Sequence, residues 1–208
     1  MDAGAAAIFL PNNLAEDVGA LSNNFFLSVD VIHCPISEPN PSHRNWFSHL
    51  IRGPAFKCEI GVSMEGNIAW VSSPCRGSVH CVHMFRAALH LAIPDGCQAI
   101  VPCPVFAYGR DEKVAPLRDD DDEGVLALKK RAVARHEACN QRIKDFKVTS
   151  HCFRHDLSFH SVCFTAVSVL CQHNIENGEP LLDIVAQFER GLVFVGHCRC
   201  SCHRKIKK

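Results

Sequence analysis

The sequence has no charge excess of either sign: its 22 basic and 22 acidic residues cancel. A free-standing DNA-binding module usually shows a strong basic surplus, so neutrality argues against that class. It does not exclude a nuclease whose basic residues are concentrated locally. No apolar run reaches the roughly 18 residues that a membrane-spanning helix needs, so no membrane association is expected. Met1 to Leu10 lacks a basic stretch, and Pro11 cuts its apolar run short. No secretion signal is read there, and a nuclear or cytoplasmic setting is expected. Internal repeats are absent.

What is plentiful is cysteine, with 13 residues, a high and odd count. Without a secretion signal these are expected to be reduced thiols, most of them buried as small hydrophobes. The 208 residues, nearly half of them apolar, can enclose a sizeable core without a disulfide framework, and one domain is the natural expectation.

Along the chain, Phe25 to Ile32 is β-rich and reads as a buried strand carrying one acid, Asp30. Pro35 to Ser42 reads as an exposed loop. Phe56 to Ser63 and Asn67 to Ser72 are strands joined by a turn at Met64-Glu65-Gly66, which suggests an antiparallel meander. His80 to Leu91 has the spacing of an amphipathic helix, Pro94-Asp95-Gly96 is a turn, and Gln98 to Val101 is a short buried strand. Asp111 to Glu123, with four consecutive aspartates from Asp119 to Asp122, reads as a solvated loop. Val125 to Val148 reads as one long helix, and a second helix runs near Phe159 to His173, ended by Asn177-Gly178.

The motifs narrow this order. Ser28 to Ile36 places an acid, a short polar pair and an apolar segment containing Pro35 along the first strand. Arg52 to Ser63, then Gly66 to Val71 with Ser78 to Arg86, form the next two strands and the segment after them. Arg135 to Lys144 holds Glu137, and Phe153 to His155 with His160 to Gln172 leads to Glu176-Asn177-Gly178-Glu179-Pro180-Leu181. In this order the segments, spanning roughly Phe25 to Ile184, resemble the catalytic domain of PIF/Harbinger-like transposases of the DDE endonuclease superfamily. The resemblance implies an α/β, RNase H-like mixed sheet, with an antiparallel meander plus a parallel strand, flanked by helices. It divides the chain into an N-terminal segment (1–24), the DDE endonuclease-like domain (25–184) and a basic Cys/His-rich tail (185–208).

That chemistry needs carboxylates from separate elements meeting at one point. They hold two divalent metals for an in-line phosphoryl transfer on DNA, and hard Mg²⁺ or Mn²⁺ demands oxygen ligands. The resemblance casts Asp30 as the bridging ligand and Glu137 as a ligand of one metal, both as catalytic residues. Read without it, Asp30 terminates a strand and Glu137 is an exposed helix acid. The second acid of the pattern falls in Ala99 to Val105, at Pro102, 35 residues before Glu137. Proline has no side-chain ligand atom. Cys81 likewise stands where relatives carry Asp, and a thiolate suits zinc better than magnesium. Asp95 lies at the far end of the short strand, and Asp111 could reach the site only if its loop folded back. Metal binding is expected to be weakened and strand cleavage largely lost.

Lys129, Lys130, Arg131, Arg135, Arg142, Lys144 and Lys147 make the long helix basic, either to neutralise phosphates or as a solvated face. No helix-turn-helix or zinc-finger motif is read ahead of the domain, so target-site recognition has no evident carrier, and a protein partner supplying such a module is one expectation. His197-Cys198-Arg199-Cys200-Ser201-Cys202-His203 has ligands enough for zinc, but its alternating spacing is awkward for tetrahedral closure, and a basic tail is the plainer reading. The functional expectations are a degenerate DDE endonuclease domain or, alternatively, a domesticated non-catalytic protein that binds nucleic acid or another protein; a Cys/His zinc protein is a third.

Overall fold

The computed structural model describes residues 7–8, 25–102 and 112–184. Its centre is β2 (Phe25–Pro35), eleven residues of largely β-branched, aromatic and apolar character. Most of β2 is buried because helices cover both faces of the sheet, which is what turns a strand into a near-continuous apolar run. On one side β2 pairs antiparallel with β4 (Gly53–Ser63), with Asp30 opposite Ile60 and Val31 opposite Glu59. On the other it pairs parallel with β7 (Gln98–Val101), in a register that ends at Ser28 opposite Ile100.

The full order is β1-β5-β4-β2-β7-β8, where β1 is Ala7–Ile8, β5 is Ile68–Val71 and β8 is Val114–Pro116. Two short strands, β3 (Phe47–Ser48) and β6 (Cys75–Arg76), also pair with β4. From β1 to β2 every pairing is antiparallel, whereas β2, β7 and β8 run parallel. The fold is therefore α/β, with a mixed sheet and flanking helices. The meander is made by the turn after Ser63, where Gly66 takes φ +100, a value that favours glycine.

Helices α1 (Cys81–Ala87) and α2 (Leu89–Ala92) lie on one face, packing Phe85 and Leu89 with Leu27, Val29 and Trp70. On the other face α3 (Glu123–Lys144) and α5 (His160–Glu176) enclose Ile32, Cys34, Cys58 and Ile60, with α4 (Lys147–Ser150) between them in the chain. β2 thus alternates, with Leu27 and Val29 toward α1–α2 and Ile32 and Cys34 toward α3–α5, as a period of two requires.

Several elements depart from the sequence expectations. The long helix stops at Lys144 rather than Val148. Phe146 is extended, and the Thr149 hydroxyl donates to the carbonyls of Ile143 and Phe146, taking up acceptors a continuing helix would use. The expected helix from His80 to Leu91 is divided at Ala88, whose φ is −147. The charged segment from Asp111 to Glu123 is not all loop: Val114-Ala115-Pro116 forms β8, fully buried, with Pro116 on the sheet's edge where proline is tolerated. The aspartate run is structural, since Asp122 caps α3 by accepting from Gly124 N and Asp121 pairs with Lys129 at 2.8 Å. Ala7–Ile8 pairs with β5, so the N-terminal segment contributes to the sheet. The Cys/His-rich tail and Asp111 lie outside the described residues.

Candidate functional site

Asp30 stands midway along β2 and points to the α3 face. Its Oδ1 accepts from its neighbour Val31 N at 2.8 Å, and its Oδ2 accepts from Asn140 Nδ2 at 3.0 Å. Helix α3 supplies the rest. Glu137, Asn140 and Lys144 are spaced i, i+3, i+7, one face of a helix, and all three act on Asp30. Burial is the largest influence on the Asp30 carboxyl and raises its pKa to about 6. The Val31 and Asn140 hydrogen bonds and the Lys144 charge oppose that rise, while Glu137 adds to it. The two acids named from sequence are thus brought within electrostatic reach of each other.

α3 is fixed against β2 two residues before Asp30. Ser28 Oγ lies 2.9 Å from His136 Nδ1 and donates to Val62 O at 3.3 Å. His136 is buried, which depresses its pKa to about 3 and keeps the ring neutral, and the Arg135 charge acts in the same direction. A neutral ring protonated on Nδ1 donates to the Ser28 hydroxyl, which leaves that hydroxyl's own proton for Val62.

Pro102 follows β7 directly. Ser28 lies opposite Ile100 in the parallel register, so continuing two residues along each strand sets Pro102 level with Asp30. Nothing on its ring can bind a cation. Asp95 is remote and fully exposed, in an ion pair with Lys113 at 3.3 Å. Cys81 opens α1 and feels the charges of Lys57, Asp30 and Glu59, while burial, the largest influence, raises its thiol pKa. Among the described residues no cluster of three or more His, Cys, Asp or Glu converges on a metal-sized point. A two-ion centre needs oxygen donors from at least three directions. Here two carboxylates are present, and both oxygens of one already accept protein N–H groups. The residues do not fit such a centre.

No family model, no curated protein and no solved structure matches the chain. Its chemistry has to be read from its own side chains.

The basic helix proves to be mostly internal bracing. Arg135 is completely buried and donates to the carbonyls of Met64, at 2.7 Å, and Ser63, holding the β4–β5 turn. Lys129 is buried against Pro116 O at 3.0 Å and Asp121. Arg142 donates to the carbonyls of Glu179 and Pro180, and Arg131 is buried. Only Lys130, Lys144 and Lys147 of the seven are exposed.

Sequence reasoning missed two residues. Asn140 lies in a quoted motif, and its spacing from Glu137 was the available signal. Glu59 gave less warning. It is fully buried on the α1 face of β4, and its Oε1 accepts from Trp70 Nε1 at 3.1 Å. Its Oε2 has no partner. Burial drives its pKa up to about 8; the Trp70 hydrogen bond opposes this and the Asp30 charge reinforces it. Lys57, its neighbour on the same face, donates instead to Val79 O at 2.8 Å.

Proposed function

We propose that the chain is a transposase-derived domain of the RNase H-like, DDE endonuclease class that has lost strand cleavage. One observation carries this reading: a central-strand acid lies within electrostatic reach of an acid from α3, while Pro102, just past the end of β7, stands level with it when the parallel register is extended by two residues. The strand order supports it as well. An antiparallel meander (β2, β4, β5) extended by parallel strands on the other side of β2 is the arrangement the resemblance implies.

Mg²⁺ or Mn²⁺ belongs to the ancestral activity in this proposal, with Asp30 and Glu137 as the surviving ligands. Removal of one metal-holding carboxylate costs several kcal/mol of transition-state stabilisation, on the order of a thousand-fold in rate or more. The test is nicking of supercoiled DNA with Mg²⁺ or Mn²⁺, comparing the native chain with Glu137→Ala. No nicking is expected from either. Metal-dependent nicking abolished by Glu137→Ala would overturn the degenerate reading.

The alternative is a non-catalytic protein that binds nucleic acid or a protein partner. The exposed Lys130, Lys144 and Lys147 favour a weak phosphate contact. Three neutralised phosphates give a slope of log K against log salt of about −3, far below that of a dedicated DNA-binding protein. A steeper slope would place binding elsewhere on the chain. No described helix is long and apolar enough to cross a membrane.

A further inference from the structure

Helix α5 carries no Asp, Glu, Lys or Arg before Glu176, and the uncharged stretch begins at Leu157. One face is accounted for: Phe164, Val167, Cys171 and Ile175 enter the core against the sheet. The opposite face is apolar too. Phe159, Val162, Val169 and Leu170 are 60, 67, 43 and 50% exposed, and the exposed Ala166 lies among them. At about 100° per residue these positions fall within an arc of roughly 100°, centred opposite the buried face. Surface helices of monomeric proteins put charge there, and a helix apolar on both sides is ordinarily covered on both.

We propose that this face is a dimer interface in which α5 packs antiparallel against α5 of a second copy, with Ala166 on the twofold axis. Three features select a second copy. A stripe without charge meets itself with no like-charge repulsion, which any twofold contact must satisfy residue by residue. Val162 and Leu170 are equidistant from Ala166, so Val162 of one copy meets Leu170 of the other, Phe159 meets the exposed His173, and the smallest residue lies where the helix axes come closest. The area is adequate as well. The four large side chains still expose on the order of 350 Å² of apolar surface, and with the flanking small residues a pair buries roughly 1,000 Å², the lower limit of a specific interface. An interface at that lower limit suits a reversible dimer rather than an obligate one. It does not depend on the endonuclease reading.

Sedimentation equilibrium of the reduced full-length chain, from about 1 to 200 µM, tests it. The native chain should pass from monomer to dimer within that range. Val162→Lys and Leu170→Glu should each weaken association at least tenfold, and Val162→Ser, which adds no charge, several-fold. An equimolar mixture of Val162→Lys and Leu170→Glu should recover association, because antiparallel pairing sets the new lysine beside the new glutamate. A native chain that stays monomeric throughout overturns the proposal, whether or not it binds phosphatidylcholine vesicles. So does a dimer indifferent to these substitutions, or a mixture that fails to associate.

Discussion

Replacing Glu59 by Gln should leave the protein about as stable as before in acid and make it progressively more stable than the native chain as pH rises. The carboxyl has no solvent contact, one oxygen is held by Trp70 Nε1 at 3.1 Å, and the other has no partner. In the unfolded chain Glu59 ionises near its ordinary value of 4.5, whereas in the folded chain it keeps its proton up to about pH 8. The folded state therefore binds the extra proton. The stabilisation linked to it is complete below pH 4.5 and is lost as pH climbs through 8. Each pH unit between those limits is worth about 1.4 kcal/mol, and the full interval about 5 kcal/mol, a large share of a typical domain's stability. Glutamine keeps the shape and the acceptor for Trp70 but cannot ionise. The difference between their stabilities reads this carboxyl together with its couplings to Asp30, Cys75 and Cys81. Urea unfolding followed by the fluorescence of Trp46 and Trp70, in reducing buffer at intervals from pH 5 to 9, measures it. Curves that stay parallel across that range would refute the reasoning, because they would mean that Glu59 is ionised in the fold.

Arg135→Met should lower stability by about 3 kcal/mol, since the carbonyls of Ser63 and Met64 lose a charged donor, while leaving DNA retention on a filter unchanged; Lys144→Ala should weaken DNA retention and raise the Asp30 pKa further, at a smaller cost in stability. Equal effects of the two on DNA retention would restore Arg135 as a phosphate contact. Pro102→Asp should tighten Mn²⁺ binding at least tenfold in titration calorimetry, because it returns a carboxylate to the position level with Asp30. An unchanged affinity would show that this position does not face the acids.

The strands covered on both faces were the legible part of the fold. β2 and β7 announce themselves because two apolar surroundings leave little room for polar residues, and the bounds expected for β7 match those observed. β8 did not, because three apolar residues inside an acidic segment carry too little periodicity, and its pairing with β7 is not a local property. The stop of α3 was hidden as well: Thr149 is an ordinary helical residue until its hydroxyl finds the Ile143 carbonyl. For the site, Asp30 and Glu137 were named from a resemblance, since residues 107 positions apart share no local signal. Charge was the most misleading feature. The sequence displays seven basic residues on or beside α3, but only the fold reveals that Arg135 and Arg142 serve backbone carbonyls and that Lys129 serves Asp121.

The contacts around Asp30 join β2 to α3 through the protein's own groups. A carboxylate kept to bind a cation must remain ionised and leave its oxygens open. At Asp30 burial raises the pKa to about 6, with Glu137 contributing to that rise, so the carboxyl is mostly ionised at physiological pH but takes up its proton well above the usual aspartate range. Asn140 and Val31 each donate to one of its oxygens, and the Lys144 charge on α3 favours its ionised form. Each of these contacts ties β2 to itself or to α3, and the Ser28–His136 contact repeats the tie one turn of the helix away. Burial and the Glu137 charge disfavour an ionised Asp30, and α3 offsets part of that with the Asn140 hydrogen bond and the Lys144 charge. A further carboxylate set beside these two would push their pKa values higher still, unless a cation joined the three.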